Sequence, residues 1–147
     1  SVFDLKDWAP ERFAETIAWL VRDRNAEIHF CDSPGNAAYY ASILAGVPAE
    51  LRAHCHDWSN QLNIAEAGSL LRRMDLAFGI DTGFLHIAAS DHIPVVGLYG
   101  PLEPWRWHPW DTKYTALRPD DVTGPRPLLR LSVAEVQASL DGYLPKS

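Results

Sequence analysis

The sequence predicts an α/β protein, a Rossmann-like parallel sheet with helices on both faces. Short β-prone runs alternate with helical patterns along all 147 residues, which is the order that a parallel sheet with crossover helices requires. Two of these runs, residues 26–31 and 75–80, end in a turn that leads straight into a helical pattern. The length suits one hydrophobic core, and neither a linker nor an internal repeat divides it. We therefore expect a single domain over residues 1–147.

Composition and charge exclude several classes of protein. Apolar residues make up 47% of the chain and charged residues 22%, as in ordinary globular domains rather than disordered chains or fibres. The net charge of −6 argues against a nucleic-acid partner, which would need a basic stripe, but backbone N–H groups can still hold a small anion. No apolar run approaches the roughly 20 residues of a membrane span. With only Cys31 and Cys55, we expect a reduced, cytoplasmic protein without a disulfide.

The first element is an amphipathic helix over residues 8–24. Pro10 suits its first turn, Asp7 is a candidate N-cap, and the helix can end at Asn25. Its apolar stripe consists of Phe13, Ile17, Leu20 and Val21. These positions recur at helical spacing and therefore predict a face that packs on a core.

The next elements are a strand over residues 26–31 and a second helix over residues 37–45. A turn cluster, residues 32–36, separates them, and Gly46 with Pro48 closes the helix. Residues 48–60 show no clear pattern. A third helix covers residues 63–73, and its predicted buried face consists of Ile64, Ala67, Leu71 and Met74.

The second half of the chain alternates strands with helices. Strands are predicted at residues 75–80, 94–99 and 113–118, a short helix at residues 84–90, and loops at residues 101–111 and 119–127. Ser132 and Glu135 have the spacing of a capping box. They start a last helix whose apolar positions are Val133, Val136, Leu140 and Tyr143.

The turn at residues 81–83 is the strongest candidate for chemistry. In open parallel sheets, ligands bind beyond the carboxyl ends of the strands. The N–H groups of Gly83 and Phe84 would point outward at the positive end of the following helix, a seat for phosphate to which the Thr82 hydroxyl adds a donor. Asp81 can cap the helix or orient a neighbouring cation, and His86 can donate to a phosphate or a sugar hydroxyl. The alternatives are a plain turn with a cap, and a half-buried histidine bonded to backbone.

Two further clusters carry polar or aromatic groups. Residues 54–57 (HCHD) are of metal-ligand types, but no second cluster at ligand spacing accompanies them, so we expect a polar loop without a metal. The loop at residues 101–111 holds aromatic and basic side chains that can stack on a base or sugar, or anchor the loop. These side chains are Trp105, Arg106, Trp107, His108 and Trp110.

Several motifs together resemble one family. The runs DTGFLHIAAS at residues 81–90 and IPVVGLYGP at residues 93–101 are followed by Trp105, Trp107 and Pro109. Upstream, KDWAPERF at residues 6–13 has the spacing Lys-x-Trp-x-x-Glu-x-Phe. Residues 63–74 and the final LSVAEV at residues 131–136 match weakly. In this order, the motifs resemble the C-terminal half of the heptosyltransferases, glycosyltransferase family 9.

The resemblance implies the C-terminal, donor-binding half of a GT-B glycosyltransferase. Such an enzyme transfers a sugar, typically from ADP-heptose, to a lipopolysaccharide-like or other glycan or lipid-linked acceptor held by an N-terminal domain. Carried over by position, Thr82, Gly83 and Phe84 bind the pyrophosphate, Asp81 and His86 line the donor pocket, and Lys6 reaches a donor phosphate. The resemblance implies neither a cofactor nor a metal. It also implies a cytoplasmic protein, or one peripheral at the inner face of the bacterial membrane.

This chain departs from the family pattern in two ways. The N-terminal domain and its carboxylate base have no match here, so we expect no catalytic residue in this chain, donor binding without appreciable transfer, and self-association through an exposed inter-domain face. The family's Gly-Gly-Pro-x-Glu turn is replaced by residues 32–36, which puts Asn36 at the position of the ribose-binding acid. A UDP-sugar enzyme, a sugar-nucleotide epimerase and a non-catalytic nucleotide- or partner-binding module therefore remain alternatives.

Overall fold

A computed structural model describes residues 8–31, 37–58, 61–80, 83–99, 113–123 and 127–144, without the side chains of residues 37, 83 and 84. The chain divides into two compact units. The N-terminal unit comprises Ala9–Ala67 with Lys146–Ser147, and the C-terminal unit comprises Ser1–Trp8 with Gly68–Pro145. The single domain expected over residues 1–147 stays a prediction.

The N-terminal unit is built on two parallel strands. Its elements are α1 (Pro10–Arg24), β1 (Ile28–Phe30), α2 (Ala37–Gly46), a 3-10 helix (Ala49–His54) and β2 (Cys55–Asp57). β1 and β2 pair in parallel, with His29 opposite His56. Helices α1 and α2 pack closely, because a Cβ on Gly46 would lie only 3.0 Å from the Cβ of Ala14. Small residues therefore stand at this close contact between the two helices.

Helix α1 confirms the predicted stripe but not the predicted N-cap. Its stripe is buried, as the spacing predicts; the side chains are Phe13, Ile17, Leu20 and Val21. The N-cap is Ala9, which makes no side-chain bond, so Asp7 is not the cap. Proline in the first turn explains the difference, since its fixed φ starts the helix and its missing N–H needs no acceptor. The helix ends at Asn25, whose φ of 54° is left-handed.

The segment that shows no clear pattern, residues 48–60, contains the 3-10 helix and β2. The prediction of a polar loop at residues 54–57 is therefore wrong, because Cys55, His56 and Asp57 form a strand. Its pairing also separates the two cysteines, which form no disulfide. Cys55 lies opposite Ile28, three residues from Cys31, and three residues of strand span about 10 Å, whereas bridged Cα atoms lie within about 7 Å.

Helix α3 (Ile64–Leu71) begins in the N-terminal unit and ends in the C-terminal unit. A reciprocal cap starts it: the Glu66 N–H donates to Asn63 Oδ1 at 2.8 Å, and the Asn63 N–H donates to Glu66 Oε1 at 3.0 Å. Ala67 and Leu71 are buried, but Ile64 is 78% exposed. The prediction that Ile64 belongs to the buried face is therefore wrong, because the first helical residue lies beyond the part of the helix that packs.

The C-terminal unit contains a three-stranded parallel ladder in the order β3-β4-β5. Its elements are β3 (Ala77–Ile80), α4 (Gly83–Ser90), β4 (Val95–Leu98), β5 (Tyr114–Leu117), a 3-10 helix (Pro127–Arg130) and α5 (Val133–Asp141). β4 is the middle strand, and all four of its residues are buried. The Glu135 N–H donates to the Ser132 hydroxyl at 3.1 Å, which confirms the predicted start of the last helix.

Buried side chains cover both faces of this ladder. On one face, Ala77 and Val95 pack against α4. On the other face, the ring of Trp8 meets the ring of Phe78 edge-on, with centroids 6.4 Å apart. Strands that are covered on both faces read as continuous apolar runs, which explains why the strands around residues 75–80 and 94–99 are visible in the sequence.

The predicted α/β class with parallel strands is confirmed. All pairings between described strands are parallel, and strands alternate with helices along the chain. The described strands form two ladders, one in each unit. Of the described helices, none is both long enough and apolar enough to span a membrane.

Candidate phosphate-binding site

The candidate site lies where β3 leads into α4. β3 ends at Ile80 and α4 begins at Gly83, so the helix starts directly beyond the carboxyl end of a parallel strand. The first N–H groups of an α-helix have no acceptor within the helix. Gly83 and Phe84 are the first two residues of α4, and their N–H groups therefore lie at its positive end, where anions are stabilised.

Burial fixes the direction of α4. Leu85, Ala88 and Ala89 are buried and pack with residues of α3, β3 and β4. Small alanines on this face let the helix lie close to the strands. The helix axis, and with it the position of the Gly83 N–H, is therefore set by the same core that orders the ladder.

The other end of α4 closes with a left-handed residue. His92 has a φ of 62°, its N–H donates to the Ala89 carbonyl, and the N–H of Ile93 donates to the Ala88 carbonyl, both at 3.0 Å. This is the bonding pattern of a Schellman motif. It satisfies carbonyls at the end of α4 and returns the chain toward β4.

The remaining site residues of the sequence analysis divide into two groups. His86 lies on α4, one turn after Gly83, and is half-buried. Its contact with the donor stays a prediction. Outside the described residues lie Lys6, Asn36, Asp81 and Thr82, and also the aromatic and basic side chains at residues 105–110.

A second polar cluster, which sequence reasoning did not assemble, lies in the N-terminal unit. The Glu27 carboxylate accepts from His54 Nδ1 at 2.7 Å and from His56 Nε2 at 2.9 Å. These two bonds hold the pKa of Glu27 below its usual value, and the bond from His54 has a larger effect than the bond from His56. His54, the last residue of the 3-10 helix, and His56 of β2 stand two residues apart, which is the only local signal of this cluster. The pairing of β2 with β1 brings in Glu27, the residue before β1.

Aromatic rings extend this cluster. The rings of His29 and His56 stack with centroids 4.8 Å apart, and the Trp58 indole N–H donates to His29 Nδ1 at 3.1 Å. The nearby Cys55 thiol has a raised pKa, first through burial and then through the negative charge of Glu27. Within the part of the chain that the structure describes, no group of three or more His, Cys, Asp or Glu side chains could hold a metal ion.

Comparison with known proteins identifies the family of this chain. The family model of glycosyltransferase family 9 (heptosyltransferase) matches residues 1–126. The lipopolysaccharide core heptosyltransferase OpsX of Haemophilus influenzae is 30% identical over 110 residues, which cover 72% of this chain and 30% of that protein.

Solved structures share the fold. The E. coli ADP-heptose lps heptosyltransferase II superposes with a TM-score of 0.86 at 24% identity, covering 95% of this chain and 42% of that one. The E. coli heptosyltransferase WaaC with ADP superposes with a TM-score of 0.80 at 19% identity, covering 95% of this chain and 41% of that one. These likenesses confirm the GT-B heptosyltransferase fold that the sequence resemblance implies. The chain spans about a third of the length of the curated relatives it matches. On the family match over residues 1–126, this chain belongs to glycosyltransferase family 9, the heptosyltransferases.

Proposed function

We propose that this chain binds the sugar-nucleotide donor of a heptosyltransferase, an ADP-linked heptose, for transfer to a lipopolysaccharide-type acceptor. The observation that carries the proposal is the start of α4 at Gly83, directly after the parallel strand β3. A pyrophosphate is the ligand that such a helix start favours, because several N–H groups and the helix dipole act on it together. The net charge of −6 does not oppose this, since the N–H groups are local donors.

The reaction explains why phosphate binding matters for transfer. When the anomeric C–O bond breaks, negative charge develops on the departing β-phosphate. Donors that are already oriented stabilise this charge without reorganisation, and loss of one such donor typically lowers the rate by about 10²–10³-fold. In our proposal, the N–H groups of Gly83 and Phe84, the Thr82 hydroxyl and the Lys6 ammonium are these donors. Asp81 and His86 line the same pocket, and Asn36 bonds the nucleoside.

The relatives support the donor and the acceptor. One similar structure is described as a WaaC heptosyltransferase with ADP, another as the same enzyme with ADP-2-deoxy-2-fluoro heptose. The relative OpsX is a lipopolysaccharide core heptosyltransferase. The base that deprotonates the acceptor hydroxyl would lie in a part of the enzyme that this chain does not match, so we expect donor binding without appreciable transfer by this chain alone.

Calorimetric titration with ADP, UDP, GDP and an ADP-sugar tests the proposal. We expect ADP and the ADP-sugar to bind and UDP and GDP to bind at least tenfold more weakly. Thr82→Ala and Lys6→Ala should each weaken ADP binding by about tenfold, since a hydrogen bond to a charged group contributes about 1.5–3 kcal/mol. The matched control is Lys113→Ala, which removes an exposed lysine next to β5 and should leave the affinity unchanged.

Other outcomes would contradict the proposal in distinct ways. Preference for UDP would keep a sugar-nucleotide site but overturn the ADP-linked donor. Equal binding of all three nucleotides, unaffected by Thr82→Ala, would overturn the phosphate seat. Absence of nucleotide binding under conditions where circular dichroism shows a folded chain would favour a non-catalytic partner-binding module.

A further inference from the structure

One face of the β1–β2 ladder carries titratable side chains from both strands. His29 of β1 lies opposite His56 of β2, and their rings stack with centroids 4.8 Å apart and planes at 21°. Glu27 and Trp58 stand two residues from His29 and from His56. Each of them bonds to one of these two rings and therefore lies on the same face. All four residues belong to the N-terminal unit.

The bond between Trp58 and His29 fixes the state of one histidine nitrogen. The Trp58 indole N–H donates to His29 Nδ1 at 3.1 Å. An indole nitrogen can donate a hydrogen bond but cannot accept one. His29 Nδ1 must therefore present a lone pair, and the neutral ring carries its proton on Nε2. Protonation of Nδ1 would set two N–H donors against each other and abolish the bond.

The charged groups that face His29 come from its own strand and from the neighbouring one. His56 stacks on it, and His56 Nε2 lies 2.9 Å from Glu27 Oε2. The other oxygen of Glu27 lies 2.7 Å from His54 Nδ1, so each oxygen of this carboxylate has another histidine as a partner. The bond that His29 makes to Trp58 requires a neutral ring, whereas the bonds to Glu27 are compatible with charged ones. The other titratable side chains on or directly after these strands are Cys31, Cys55 and Asp57.

We propose that His29 and Trp58 form a pH-sensitive latch at the end of β2. The neutral His29 ring holds the indole, and protonation of Nδ1 releases it. Histidine ordinarily changes its charge between pH 5 and pH 8, so the latch is closed at the upper end of this range and open at the lower end. Trp58 is also bonded to β1 through its backbone, whose N–H donates to the Phe30 carbonyl at 2.9 Å. Release of the indole therefore loosens the point at which the chain leaves the ladder toward α3.

Nitrogen-15 NMR of the unmodified chain tests the latch directly. We expect His29 to be the tautomer with an unprotonated Nδ1 at pH 8. The signal of the Trp58 indole should shift between pH 8 and pH 5, with the same midpoint as the titration of the His29 ring. The indole of Trp8 is the internal control, because it donates to the backbone carbonyl of Leu131 at 3.1 Å. A carbonyl oxygen does not titrate, so the Trp8 signal should stay constant over this range.

His29→Asn separates the bond from the titration. Asparagine offers an amide oxygen as an acceptor for the indole but does not change its charge with pH. We expect the Trp58 signal of this variant to lose its pH dependence. His54→Asn is the matched control, because it removes a histidine of the same cluster that bonds to Glu27 rather than to Trp58. It should leave the response of the Trp58 signal in place.

Trp58→Phe keeps the test decisive if His29→Asn does not fold. Without the indole, the neutral His29 ring loses a bond that favours it, so His29 should take up its proton at a higher pH than in the unmodified chain. An unchanged midpoint in this variant would overturn the latch.

Three other outcomes would also overturn it. They are a Trp58 signal that is constant between pH 8 and pH 5, a signal that still titrates in His29→Asn, and loss of the folded circular dichroism spectrum at pH 5, since release would then reflect general unfolding. None of these readouts uses a nucleotide, so the latch and the proposed donor binding can fail independently.

Discussion

The hydroxyl groups of Thr115 and Tyr143 lie 2.6 Å apart, which joins β5 to the turn after α5. Tyr143 is half-buried and stands two residues after Asp141, the last residue of that helix. The bond therefore ties the end of the chain's last helix to the third strand of the ladder. The two residues are 28 positions apart in the sequence, and no local pattern indicates that their hydroxyl groups meet.

Removal of this bond should lower stability by about 1 kcal/mol, the usual net contribution of a neutral hydrogen bond. Tyr143→Phe and Thr115→Val should each show this loss in urea unfolding followed by circular dichroism. The double variant should lose little more than either single one, since only one interaction is removed. A strictly additive loss would show that the two hydroxyls contribute independently.

At the end of α1, we expect alanine and glycine to have opposite effects on stability when they replace Asn25. Asn25 is exposed and has a φ of 54°, where a Cβ is unfavourable and glycine is not. We expect Asn25→Ala to lower the free energy of unfolding by about 1 kcal/mol. Asn25→Gly should leave it unchanged or raise it. Equal effects of the two substitutions would show that the backbone conformation is not what the asparagine contributes.

Two glycines of the C-terminal ladder should respond differently to alanine. A Cβ on Gly97 would lie 2.6 Å from the Tyr114 hydroxyl oxygen and 2.9 Å from Cε2 of Tyr99, whereas a Cβ on Gly79 would meet nothing within 4 Å. Overpacking of this kind typically costs about 1–3 kcal/mol, so Gly97→Ala should be destabilising and Gly79→Ala tolerated. Thermal unfolding measures both.

The cause of the Gly97 effect can be tested by rescue. The closest atom to the added methyl group is the Tyr114 hydroxyl. Tyr114→Phe removes it, so Gly97→Ala should cost less in the Tyr114→Phe background than in the unmodified chain. A cost that is the same in both backgrounds would point to strand propensity rather than to the clash.

The Glu27 cluster predicts a pH dependence of stability. The hydrogen bond from His54, and to a smaller extent the bond from His56, lowers the pKa of Glu27 in the folded chain. A carboxyl group with a lowered folded pKa stabilises the fold above its unfolded pKa, and this contribution is lost as the pH falls through the folded value. We therefore expect the stabilisation by Glu27 to be present at pH 6 and to decline below the ordinary pKa of 4.5.

Urea unfolding between pH 3 and pH 7 measures this dependence. Glu27→Gln should be less stable than the unmodified chain at pH 6, and the difference should shrink toward pH 3. Glu15→Gln, on the exposed face of α1, is the matched control and should show no such convergence. A constant difference between Glu27→Gln and the unmodified chain at all pH values would contradict the role of the carboxylate charge.

Local signals account for the elements that were predicted from the sequence. Pro10 and Asn25 mark the ends of α1, and Ser132 marks the start of α5, because each acts on its own backbone through a fixed φ, a left-handed φ or a capping bond. β3 and β4 were predicted because burial on both faces gives them continuous apolar runs. β2 was missed because a short strand that carries His56 and Asp57 has no apolar pattern.

The candidate site also has features that local sequence signals predict and features that they do not. That a strand runs into a turn and a helix at residues 81–83 follows from the sequence alone, since glycine and a β-to-helix change of period are local properties. The roles of Lys6, Asp81 and Thr82 remain predictions from the family resemblance. The contacts of Trp8 with Phe78 and Leu131 could not be predicted, because the three residues are far apart in the chain.

The sequence by itself determined the α/β class, the alternation of strands and helices, and the position at which β3 leads into α4, because apolar periodicity and turn residues act over a few positions. Only the tertiary structure decided which polar groups meet, such as Glu27 with His54 and His56, and which apolar side chains are covered. Ile64 is exposed and Trp8 is buried, although both are large apolar side chains near the start of a helix. Burial depends on what the rest of the fold brings against a residue, which no local pattern contains.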